Sequence, residues 1–166
     1  TLNNEINLFT PKDSYRTRGY GGSSSKTDGT NIENGVIVYF NLKNFDSLKD
    51  TVSISFSNMY GKTIKTLSNI DKKNNLSVKK GSNKFIWDTK HDGAEVLDGM
   101  IFWSASFSGP KSIPGNYKVS LNKNGMKTTK VFKILIDPRS EVGVSDIQKQ
   151  LDFVNTVNNT VDDAHK

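Results

Sequence analysis

Cysteine is absent from the 166 residues, histidine occurs twice, proline four times, and arginine only at positions 16, 18 and 139. Without cysteine there is no disulfide scaffold, no cysteine nucleophile and no thiolate metal site. Long apolar runs are missing too. Val36-Ile37-Val38-Tyr39-Phe40 is typical, against the roughly 20 apolar residues a membrane-spanning helix needs. The mean hydropathy of −0.55 agrees, and no membrane insertion is expected. No basic–apolar leader follows Thr1, so a targeting peptide would lie outside these residues, and the chain reads as a piece of something larger. Its length suits one domain whose core needs no staples, plus an extra segment.

The shortage of arginine also qualifies the charge. The net charge is +6, and twenty of the 23 basic residues are lysine. These are dispersed, as at Lys43, Lys49, Lys62, Lys65, Lys118 and Lys133. Arginine is the side chain suited to bidentate phosphate and guanine contacts. Scattered lysine more often solubilises a surface and blunts sheet edges. A nucleic-acid partner is therefore not expected. Residues 141–166 reverse the balance, with five acids and two bases.

What is present divides the chain into four stretches. Residues 1–18 form a lead-in in which Ile6 and Leu8 alternate as in a short strand that Pro11 stops. Residues 19–34 are Gly/Ser-rich, a composition that cannot offset its own ordering entropy, which predicts a flexible loop. From 35 to 137 the apolar period is two: Val36/Val38/Phe40, Val52/Ile54/Phe56, Phe85/Trp87 and Tyr117/Val119/Leu121. Asn124-Gly125 is a hairpin signal. Six or seven short strands separated by turn residues predict an all-β, antiparallel β-sandwich of immunoglobulin/fibronectin III type. From 138 to 166 a linker leads into an amphipathic helix. Ser145 and Gln148 have the spacing of a capping box, and Ile147, Leu151, Val154, Val157 and Val161 make one apolar stripe. No glycine cap closes that helix, which predicts that it continues.

Chemistry is sparse. A Ser-His-Asp triad would depend on His91, and no Gly-x-Ser-x-Gly elbow presents a serine. Zinc would need carboxylates beside His91. Asp88, Asp92, Glu95 and Asp98 crowd one glycine-bearing loop. That set offers oxygen ligands for calcium, although not at EF-hand spacing. The same acids supply carboxylates for a glycosidase only if two are held at a fixed separation. An acidic, glycine-bearing loop between strands is usually just a solvated connection. Glycines 19, 21 and 22 lack the Lys-Ser/Thr of a phosphate loop. Trp87 pairs with Phe85 and is expected in the core, whereas Phe102 and Trp103 beyond the acidic loop are candidates for stacking on a sugar ring. The residues yield no catalytic set, no metal site and no obligatory cofactor.

Three blocks carry a family resemblance. Leu8-Phe9-Thr10-Pro11 with Ser14-Tyr15-Arg16 resembles the segment that leaves the propeller in large bacterial BNR-repeat, sortilin-like proteins, often labelled glycosyl hydrolases. Gly35–Lys43 is similar to the first strand of their C-terminal domain. Gly81–Asp88, Pro114-Gly115-Asn116-Tyr117, Asp137-Pro138-Arg139 and Gln150–Phe153 are similar to its second half. The Asn-x-Phe-x-Trp-Asp and Pro-Gly-x-Tyr pair also resembles the immunoglobulin-like domain of flagellar hook-capping proteins.

The resemblance implies an exported protein, periplasmic, secreted or at the cell surface, whose active region lies in a preceding β-propeller. No Asp-box of Ser-x-Asp-x-Gly-x-Thr-Trp form occurs in this chain, so the hydrolase label does not transfer. The expected role is a non-catalytic accessory module that docks on that propeller or another protein. Leu8, Phe9, Ile147, Leu151, Val154, Val157 and Val161 are the expected contacts, because they would otherwise leave apolar side chains wet. The rival is a carbohydrate-binding module built from Phe102, Trp103, Asp92, Glu95 and Asp98, with calcium as a candidate cofactor and a glycan as partner.

Overall fold

The computed structural model describes residues 5–17, 33–93 and 108–164. They contain eight strands and one helix. The strands are β1 (Ile6–Leu8), β2 (Ser14–Arg16), β3 (Val36–Leu42), β4 (Val52–Asn58), β5 (Thr63–Ser68), β6 (Gly81–Trp87), β7 (Gly115–Lys123) and β8 (Met126–Ile136), followed by α1 (Val144–Ala164). Two sheets form, a three-stranded one ordered β1-β3-β6 and a five-stranded one ordered β2-β8-β7-β4-β5.

Period-two patterning decides which side of each strand faces inward. Val36, Val38, Phe40 and Leu42 from the small sheet meet Val52, Ile54, Phe56, Val119 and Leu121 from the large one in a single core. The cross-sheet anchor is Trp87, which is 1% exposed and stacks on Phe56 with ring centroids 4.3 Å apart. Tyr117 and Phe132 each meet the Trp87 ring edge-on at 6.3 Å. The architecture is a mostly β, two-sheet sandwich, as the sequence period requires.

Two turns show why the residue types matter. Gly35, at φ +122°, sits where an added Cβ would lie 2.2 Å from the Trp87 carbonyl oxygen, so only glycine lets β3 start against β6. Asn124 and Gly125 both have positive φ, the backbone of a two-residue hairpin turn between β7 and β8.

The lead-in departs from expectation. It is part of the sandwich, because β1 pairs antiparallel with β3 and β2 pairs with β8. The sandwich therefore begins at Ile6 rather than at 35. Nor is it wholly antiparallel: β2 and β8 run parallel. Pro11 lies between β1 and β2, where the chain leaves the edge of one sheet and joins the edge of the other. Leu8, expected as a docking contact, is 1% exposed in the core. Alternation settles it: Leu8 opposes the inward Phe40, so only its neighbour Phe9 faces out.

The helix start also differs. The Ile147 N–H donates to the Gly143 carbonyl, which makes Gly143 the N-cap and puts Ser145 inside the first turn. Gln148 then has no cap to close and its amide donates to Asp152.

Candidate functional site

The acidic loop is described only at its start. Glu95, Asp98, Phe102 and Trp103, all named for the sugar or calcium reading, lie outside the described residues. Asp92 is described, and its Oδ1 accepts from Lys65 Nζ of β5 at 2.6 Å. That ion pair commits a carboxylate which the calcium reading would need free. Asp88 caps its own turn by accepting the Lys90 N–H at 3.1 Å. His91 is half-buried with its backbone N–H on the Pro110 carbonyl. Burial, with help from nearby Lys62, holds its imidazole below the ordinary value. Among the described residues no three His, Asp or Glu side chains gather as metal ligands.

A groove lies where β2, the end of β8 and the start of α1 converge, lined in part by Arg16, Asp137, Arg139, Asp146 and Ile147. Its two carboxylates already have cationic partners. Asp137 accepts from both Nε and an Nη of Arg139, at 2.9 and 2.7 Å, and is held down at about 2. Asp146 lies 3.3 Å from Lys149. A carboxyl that is ionised throughout the neutral range and bound to a guanidinium is a poor proton donor. The arrangement fixes the chain direction after β8.

An ion network that the sequence did not reveal stands elsewhere. Lys123, at the end of β7, is 3% exposed, with its Nζ 2.8 Å from Glu5, 3.3 Å from Asp50 and 2.6 Å from the Asn44 carbonyl. Burial works against its charge, but the hydrogen bonds it donates to both carboxylates prevail and raise its pKa. Glu5 is lowered mainly by the Lys123 hydrogen bond. Asp50 is lowered chiefly by the Asp46 backbone N–H and then by Asn124. The network ties the lead-in to the far end of the large sheet. Its only sequence signal is a lysine in phase with Val119 and Leu121.

The outward faces of the two sheets differ. On the small sheet Phe9 and Tyr39 lie side by side, with the Phe9 N–H on the Tyr39 carbonyl at 3.0 Å, and are 46% and 50% exposed. Ile37 and Ile86 oppose each other on the same face and are half-buried. On the large sheet Ser53, Ser55 and Ser57 stand opposite Asn122, Ser120 and Lys118. Next to them β8 presents Lys127, Thr129, Val131 and Lys133.

The helix stripe is intermediate. Ile147 is buried, Leu151, Val154 and Val161 are half-buried, and Val157 is exposed. Phe153, off the stripe, is 70% exposed. The helix makes no extensive contact with any of the eight strands, and among the described residues no helix is long and apolar enough to cross a membrane. Comparison with known protein families, with curated proteins and with solved structures finds no match for this chain.

Proposed function

We propose that this chain is a non-catalytic accessory module, an immunoglobulin/fibronectin III-type sandwich belonging to a larger exported protein, which docks on the β-propeller preceding it there. The observation that carries the docking reading is the outer face of the small sheet. An aromatic pair, Phe9 and Tyr39, stands beside Ile37 and Ile86 on a surface that would otherwise keep apolar area in water. Phe9 also directly follows β1, so one edge of the patch lies on the lead-in.

Strand order supports the finer fold. One sheet pairs β3 with β6, the other places β8, β7 and β4 side by side, and the first strand is divided between the two. That order is consistent with an immunoglobulin-type sandwich. Trp87 and Tyr117, two of the residues behind the family resemblance, both lie in the core. A periplasmic, secreted or cell-surface location follows from the same resemblance.

Small-angle scattering of the parent protein tests the reading. Phe9→Asp with Tyr39→Asp is expected to increase the radius of gyration, because the module swings free. Its own stability should change by no more than about 0.5 kcal/mol, as for exposed sites. Unchanged scattering with a folded double variant would refute docking through this face.

A further inference from the structure

We infer that the outer face of the five-stranded sheet is a binding surface for an acidic polysaccharide, a flat chain of carboxylated or sulfated sugars. This goes beyond the docking reading and is independent of it, since it uses the opposite sheet. The four strands β4, β5, β7 and β8 contain six lysines and no aspartate or glutamate. Three of the six are already committed or turned inward. Lys123 is buried against Glu5 and Asp50, Lys65 pairs with Asp92, and Lys130 opposes the inward Val119.

The other three, Lys118, Lys127 and Lys133, share the outer face and have no ion-pair partner among the described residues. Lys127 and Lys133 are six residues apart on β8, about 20 Å along a strand. Lys118 lies between them, opposite Val131 on the neighbouring strand. Asp13 accepts only the Lys133 backbone N–H, at 3.1 Å, and the Lys118 ammonium reaches no acid but the Met59 carbonyl, at 3.5 Å.

Beside the lysines lie short polar side chains, Thr129 on β8, Asn122 on β7 and Ser53 and Ser55 on β4, which leave the surface low and offer both donors and acceptors. A polyanion with a hydroxyl-rich backbone fits both features. Sugar hydroxyls exchange hydrogen bonds with the serines and asparagine while acid groups reach the ammonium row. The absence of arginine from this face argues for separated carboxylates or sulfates rather than bidentate phosphate contacts. Tyr15, 51% exposed, opposes Leu135 at the β2 edge of the same face and adds a ring on which a sugar can lie.

Calorimetry on the whole chain with polygalacturonate, heparin, neutral dextran and single-stranded DNA tests this. Binding to at least one acidic polysaccharide is expected, with none to dextran. Raising salt from low to about 0.5 M should weaken it at least about tenfold, because exposed charges are then screened. The variant K118Q/K127Q/K133Q should bind at least tenfold more weakly and melt like the wild type. K43Q/K79Q/K80Q removes equal charge elsewhere and should bind as before. Equal losses in both triple variants, tighter binding to DNA than to either polyanionic sugar, or no binding to either sugar would overturn the inference.

Discussion

The two sheets share one interior and have opposite exteriors. Outside the three-stranded sheet Phe9, Tyr39, Ile37 and Ile86 stand together, whereas the five-stranded sheet sets Val131 and Tyr15 among serine, threonine, asparagine and lysines that have no ion-pair partner among the described residues. Each strand carries two independent patterns, one per face, because successive side chains point to opposite sides. The inward pattern is constrained by a common core and comes out alike in both sheets. The outward pattern is free of that constraint, so its divergence points to different surroundings. One face suits an apolar partner and the other a hydrated anionic one.

Changes on the inner side should dominate stability. Trp87→Ala removes the ring by which β6 of the small sheet packs on Phe56 and Phe132 of the large one, and is expected to cost about 3–5 kcal/mol in urea unfolding. A loss under about 1 kcal/mol would mean that the sheets do not share one core. Leu8→Ala, on the inner side of the lead-in, should cost about 2–5 kcal/mol. The adjacent outward Phe9 should tolerate Ser with little change. Equal costs at Leu8 and Phe9 would erase the distinction between faces.

The smallest expected effect concerns pH. The folded pKa values of Glu5 and Asp50 lie below 4.5 and 3.8, so their contribution is present above those values and is lost as acid protonates them. Lys123 lies above 10.5, so its contribution is present below that value and is lost as pH rises through the folded pKa. Lys123→Met should flatten the alkaline limb of the stability profile and part of the acid limb. Asp137, held at about 2 by Arg139, should keep the rest of the acid limb. An unaltered alkaline limb in Lys123→Met would show that the buried lysine is not its source.

Much of the architecture is legible in the residues. Alternation at Val36/Val38/Phe40 and Val52/Ile54/Phe56 marks strands buried on one face, and Asn124-Gly125 marks the hairpin. Trp87 reads as core because Phe85 shares its side. The lead-in was harder to read. Three-residue strands such as Ile6–Leu8 and Ser14–Arg16 carry almost no periodic signal, and their place is set by edge pairing with distant β3 and β8. The cap misled for a related reason: Ser145 and Gln148 have the right spacing, but the linker from Asp137 starts the helix two residues earlier.

Candidate sites were less legible than the fold. Asp92 reads as a free ligand in sequence and is bound to Lys65 from a strand 27 residues away. Lys123 reads as one more surface lysine and is the most buried charge described.

Sequence alone determined which residues turn inward, where the hairpin folds, and that a helix ends the described chain, because these depend on neighbours a few positions apart. Only the tertiary structure decided that the lead-in belongs to both sheets, which charges neutralise one another, and which lysines remain to face an outside partner. Those outcomes depend on side chains brought together from far along the chain, which local periodicity does not encode.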